Sequence, residues 1–223
     1  MLRWRALLLL PLFACAPARE QRTPAPDPAP VKPPLYIPPK EGPRFSVLID
    51  SGEGPYSYGD HWERQEMGQR PRLLIGVDED GIGLMLELAA TWHKNYYALY
   101  VLGMKQGKHE LGRYESRPLD FPAVKALFTE FRGFFEGDAR HQVWIGSPVN
   151  EGTLVYDHHN VIYAYGNLEA YEQVLLKRRF VRGKVEIPFP HQHRTHDQWD
   201  AALDHLLNDH EWHRTDLQPG DED

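Results

Sequence analysis

The residues of this chain best suited to chemistry are its histidines, of which there are twelve. His191-Gln-His193-Arg-Thr-His196 puts three imidazoles in one short stretch after Pro190, and His205, His210 and His213 follow in or beside the next apolar-periodic segment. Neutral imidazole nitrogens bind zinc, nickel and copper, and Asp197, Asp200 or Asp204 could complete a site. His191, His193 and His196 are therefore the candidate ligands for zinc or another divalent metal. Their spacing matches no established metal motif. Surface and helix-capping histidines on an acidic helix face account for the same residues, and so does a pH-sensitive loop, since imidazoles titrate near neutrality.

Other chemistry finds little support. Ile145-Gly-Ser-Pro148 lacks the second glycine of a nucleophile elbow and has proline where a helix would continue. No glycine-rich phosphate loop of the Walker or Rossmann pattern is present, so no organic cofactor is expected. The pairs Asp78/Asp80 and Glu63/Glu66 lack the apolar setting that would shift a carboxyl pKa and read as turn and surface residues. No catalytic residue is assigned.

The elements that must position these side chains are legible in part. Thr153 to Tyr156 and Val161 to Tyr165 are rich in β-branched and aromatic residues and flank Asp157-His-His-Asn160, the order of a β-hairpin. Alternation puts Leu154 and Tyr156 on one face of the first strand. It puts Val161, Tyr163 and Tyr165 on one face of the second, with Ile162 and Ala164 on the other. Both faces are apolar, so the hairpin belongs inside a sheet with something packed over it.

Further strands are expected at 45–50, 72–78, 96–102, 109–115, 141–146 and 184–187. Residues 82–88 read as a return strand or, from Leu84 to Ala90, as a helix, and 56–70 as a loop or short helix. Asp120 to Phe135 reads as a helix capped by Asp120, with Val124, Leu127, Phe128, Phe131 and Phe135 on its buried face. Asn167 caps a second helix over 168–180, and Trp199, Leu203, Leu206 and Leu207 mark a third over 197–210. The sum is an α+β fold, a mainly antiparallel sheet with helices packed on one face.

Asp157-His-His159, with Asp78-Glu-Asp80 as an earlier acidic motif, resembles the DHH phosphoesterases. That resemblance implies manganese held by Asp78, Asp80, Asp157 and His158. The family sets its motifs at strand ends of a parallel sheet, whereas here Asn160 and a returning strand follow at once, as in a polar hairpin turn.

The chain also carries an address. Met-Leu-Arg-Trp-Arg, a short apolar run and Leu12-Phe-Ala-Cys15 read as a secretory signal, too short to span a bilayer. Leu12-Phe-Ala-Cys15 resembles the lipobox of bacterial lipoproteins, with Phe13 departing from the usual small residue. The resemblance implies cleavage before Cys15, acylation of its thiol and, since Ala16 is not aspartate, an outer-membrane anchor facing the periplasm. Cys15 is the only cysteine, which excludes an internal disulfide framework. The expected organisation is signal peptide 1–14, Pro-rich tether 15–43, one globular domain 44–217 and an acidic, disordered tail 218–223.

A net charge of −7 with no clustered Lys and Arg argues against nucleic acid as partner. From Arg140-His-Gln-Val-Trp-Ile-Gly-Ser-Pro through Gly152-Thr-Leu-Val-Tyr-Asp and on to Trp212-His-Arg-Thr-Asp, the chain resembles small bacterial immunity proteins encoded beside secreted toxins. What this implies is an envelope lipoprotein that binds and neutralises a toxin. Trp62, Trp92, Tyr56 and Tyr58 are the aromatic residues expected to be exposed for such a protein partner. A metal-binding or metal-dependent hydrolytic protein using His191, His193 and His196 is the alternative.

Overall fold

The computed structural model describes residues 42–221 except 51, 67, 69, 94 and 106. The expected signal peptide, lipidation at Cys15, the tether up to residue 41 and the final Glu222-Asp223 lie outside the described residues. The chain runs β1 (Phe45–Ile49), β2 (Gly52–Gly54), β3 (His61–Gln65), β4 (Arg72–Gly76), α1 (Gly81–Ala89), β5 (Tyr97–Leu102), β6 (Gly112–Ser116), α2 (Phe121–Glu130) and α3 (Arg132–Gly137). It continues with β7 (His141–Gly146), β8 (Gly152–Tyr156), β9 (Val161–Gly166), α4 (Leu168–Lys177), β10 (Val181–Arg182), β11 (His191–His193), a 3₁₀ turn Asp197–Trp199, α5 (Asp200–Asn208) and β12 (Trp212–Thr215).

The fold is α+β. Nine strands form one sheet in the order β10-β3-β4-β9-β8-β7-β5-β6-β12, antiparallel throughout except at β10–β3. The β8–β9 hairpin lies near its middle with the register Val155↔Tyr163. Period-two alternation then sorts the side chains. Ile75, Ile162, Ala164, Leu154, Tyr156, Ile145 and Tyr100 face the helices and share one core with Leu84, Leu88, Phe128, Phe135, Tyr171 and Leu203. Each such side chain contributes about 1.5–3 kcal/mol of burial free energy.

A second, three-stranded sheet, β11-β1-β2, covers part of the opposite face. Phe45, Tyr58 and Val185 pack there on Leu74 and Val161 of the large sheet.

Several expectations change for local reasons. The run at 82–88 is a helix. Its buried positions Gly81, Ile82, Leu84, Met85, Leu88 and Ala89 recur at steps of three and four, while Glu87 faces out to Arg178. The 56–70 segment contains β3, whose one apolar inward residue, Trp62, gives alternation too little contrast to read. The long helix after Asp120 breaks at Phe131, which lets Phe134 join Phe128 and Phe135 in the core. The cap itself holds, with Asp120 accepting from the Ala123 amide at 2.9 Å.

The strand expected at 184–187 is irregular chain, and the ladder partners are instead Val181–Arg182 on β3 and His191–His193 on β1. In the tail, Asp221 is buried, with Arg113 Nη1 donating to its carboxylate at 2.6 Å. Among the described residues no helix is long and apolar enough to cross a membrane.

Candidate metal centre

The site is built from two segments that the sheet topology brings together. The first is the β8–β9 turn. Asp157 NH donates to Val161 O at 3.1 Å and Asn160 NH to Asp157 O at 3.3 Å, closing a four-residue turn. Asn160 adopts φ 63°, a left-handed conformation that asparagine tolerates better than most residues. The Asp157 carboxylate folds back on its own turn: Oδ1 accepts from the amides of His159 (2.9 Å) and Val161 (3.2 Å), and Oδ2 lies 2.9 Å from His159 Nδ1. That contact makes Nδ1 the donor to the carboxylate.

The second segment is β11. It pairs with β1 in the register Phe45↔His193, Ser46↔Gln192 and Val47↔His191. Strand alternation therefore sends His191 and His193 to one face and Gln192 to the other. That face lies over the turn. Ring centroids of His158 and His159 are 4.3 Å apart, His158 and His193 4.3 Å, and His159 and His193 4.7 Å. One nitrogen from each of these three histidines falls within 4.8 Å of the others. His191 adjoins them, 5.0 Å from His159 and 4.9 Å from His193 between ring centroids, with its Nδ1 2.7 Å from Pro188 O.

Residues 44 and 45 hold the two segments in place. Phe45 walls the cluster, its ring 5.6 Å from His159, 5.4 Å from His191 and 5.7 Å from His193. Arg44, fully buried, points the other way into the domain. It donates to Asp157 O at 2.6 Å, to Asn160 Oδ1 at 2.6 Å and to Phe135 O at 2.7 Å, and its guanidinium lies 4.4 Å above the Tyr156 ring. Tyr58 Oη donates to His159 O at 2.8 Å, so both carbonyls of the turn's acidic end are tied down.

Burial favours the neutral form of two of these imidazoles. Burial pushes His158 down to about 4, against the attraction of Asp157, and burial with the neighbouring histidines pushes His193 down to about 3. Burial raises the Asp157 carboxyl, but the hydrogen bond and charge of His159 outweigh it and leave it below the usual range. Near neutrality His158 and His193 therefore present uncharged nitrogens beside an ionised carboxylate. His193 Nε2 is shielded from solvent and has no hydrogen-bond partner.

Of the sequence-derived triplet, His191 and His193 reach this cluster and His196 does not. His196 is buried elsewhere, its amide donating to Asp138 Oδ2 at 2.7 Å and its carbonyl accepting from Arg140 at 2.9 Å. The chain has left the β11 ladder by then, so regular spacing no longer applies. His158 and His159 are the candidate ligands absent from the triplet, His158 having entered the sequence reading only through the phosphoesterase resemblance. The signal was Asp157-His-His159 itself, read as a turn, which it is.

Asp78 and Asp80 of the phosphoesterase-like pattern are committed locally. Asp78 accepts from the Tyr58 amide at 2.6 Å, and Asp80 pairs with Arg132 at 2.8 Å and Arg178 at 3.0 Å. His205 meets Glu130 and Asp209 on the surface, and the half-buried His109 meets Asp204.

The aromatic residues expected at the surface are largely inside. Trp62 is 3% exposed, Trp92 6% and Tyr58 8%. Trp92 donates to Tyr171 Oη at 2.7 Å and stacks on Tyr96, while Tyr58 lies flat over Gly76, where a Cβ would come within 2.4 Å of its ring. Tyr56 is half-buried, edge-on to Tyr58.

The fold and the cluster together define an α+β domain with a polyhistidine centre at the junction of two sheets. No protein-family model matches the chain, and no curated protein or solved structure matches it.

Proposed function

We propose that this domain binds a divalent transition metal of the zinc class through His158, His159 and His193, with His191 as the fourth imidazole. The observation that supports it is the convergence of three nitrogens within 4.8 Å from two segments far apart in the chain. An all-nitrogen set suits zinc, copper or nickel over calcium or magnesium. A tetrahedral zinc site at Zn–N near 2.1 Å needs nitrogens about 3.4 Å apart, so small side-chain rotations close the cluster on an ion. The carboxylate behind a ligating histidine is the arrangement that fixes its tautomer and raises its basicity.

What the geometry supports is binding: the group that meets within 4.8 Å is all imidazole, and Asp157 is engaged by His159 and two amides. Neutralisation of a secreted toxin loses three of its four expected contact residues, because Trp62, Trp92 and Tyr58 are core. The reading keeps the address taken from the sequence, a domain lipid-anchored at Cys15 and held by its tether in the periplasm, where it would meet the metal.

The test is metal content. The full chain, purified in detergent and equilibrated with chelator-buffered zinc, should retain about one ion per chain by mass spectrometry. His159→Ala and His193→Ala should lose it while keeping the wild-type circular dichroism. Equal metal in the wild type and in a folded variant with alanine at 158, 159 and 193 would sink the reading.

A further inference from the structure

The sheet face that the helices leave open carries a second candidate site, independent of the metal reading. β4, β9, β8 and β7 lie side by side in mid-sheet. Their alternation sends Arg72, Tyr163, Tyr165, Thr153, Val155 and Trp144 to this face. The small sheet covers one end, and beyond it the face opens into a cavity of about 980 Å³, with Arg70, Asn150 and Gln142 completing its polar lining.

The lining is rich in donors and cationic, although the chain as a whole is acidic at −7. Two guanidinium groups line it, and among the described residues neither has a carboxylate partner. The one carboxylate there, Asp157, is already engaged by His159. Arg72 is held in place: Nε donates to Gln65 at 2.9 Å, Nη1 donates to Tyr165 Oη at 2.9 Å, and the plane lies 4.5 Å over the Tyr163 ring. Among the described residues its Nη2 has no hydrogen-bond partner, which leaves it for a ligand. Trp144 supplies an aromatic surface to the lining. Arg113 covers one face of that indole at 4.9 Å and is itself fixed by Asp221.

The backbone narrows the class of ligand. All four strands are internal, with amides and carbonyls spent in the ladders, so an extended peptide finds no edge to pair with. Recognition must come from side chains, and these are aromatic surfaces, hydroxyls, amides and a guanidinium. We propose that the groove binds an acidic glycan. A sugar ring lies against Trp144 and Tyr165, its carboxylate meets Arg72, and its hydroxyls meet Thr153, Asn150 and Gln142.

The test is calorimetric titration of the full chain with oligosaccharides carrying uronic, neuraminic or muramic acid, with their carboxyl-reduced counterparts, and with tri-glutamate as an acid lacking a sugar. At least one acidic sugar should bind saturably, about tenfold or more tighter than its reduced form. Arg72→Gln should remove that preference, Arg72→Lys should not restore it, and Trp144→Phe should weaken the acidic and the reduced sugar alike. Asn150→Ala, an exposed substitution, should weaken binding if Arg72→Gln does not fold. His193→Ala should leave sugar binding intact, which separates this site from the metal centre. The proposal is overturned if no acidic sugar is preferred over its reduced form, if tri-glutamate binds as tightly, or if folded Arg72→Gln binds like wild type.

Discussion

His159 Nδ1 lies 2.9 Å from Asp157 Oδ2, and the other oxygen of that carboxylate accepts the backbone amide of the same histidine. One residue thus orients both the ring and the main chain of a candidate ligand. Asp157→Asn keeps the size and loses the charge, so zinc affinity should fall about 10–100-fold in competition against a chelator. An unchanged affinity would mean that His159 is not a ligand.

His196 provides the converse control. Its backbone is bound to the buried Asp138–Arg140 pair, away from the cluster. His196→Gln should leave bound zinc at the wild-type level, whereas His193→Ala should abolish it. The opposite pattern would restore the triplet spelled out in the sequence.

The contrast shows what the sequence could carry. The hairpin at 152–166 was legible because two β-branched, aromatic runs flank a polar turn, and Leu154 and Tyr156 do share the helix-facing side with Ile162 and Ala164. The caps Asp120 and Asn167 were legible because capping is local. Pairing of His193 with Phe45 was not, since a three-residue strand bounded by proline looks like a loop until its distant partner is known. Trp62, Trp92 and Tyr58 were misplaced because aromatic residues in polar surroundings carry no mark of burial. The histidine cluster depends on that one unreadable pairing, so the sequence showed its histidines but not which of them meet.

Acid should destabilise the metal-free domain. His141, His158 and His193 are all held below the ordinary histidine value, with burial the largest cause in each. Their folded pKa lies below the unfolded value near 6.5, so between the two the unfolded chain binds more protons and stability falls with falling pH. The contribution is complete above about 6.5 and declines toward about 4 for His158 and about 3 for His193. Urea midpoints from pH 7.5 to 4.5 should fall in the wild type and fall less in His141→Phe. A flat wild-type profile would contradict the burial of these rings.

Phe45 and Arg44 should dominate the stability of the small sheet. Phe45→Ala removes a buried ring and should cost about 3–5 kcal/mol in urea unfolding. Arg44→Ala takes the guanidinium's hydrogen bonds from the carbonyls of Phe135 and Asp157 and should cost at least about 3 kcal/mol. A loss below about 1 kcal/mol for either would show that the β1–β11 ladder stands without them.

Arg44 and Phe45 follow directly on residues 42–43. Any tension transmitted along the chain from its N-terminal side enters the domain at the Phe45↔His193 pair and at the guanidinium bonded to the Asp157 carbonyl. Force applied there would reach the polyhistidine cluster through these two contacts, and an ion bridging β11 to the β8–β9 turn would act as a rivet against it.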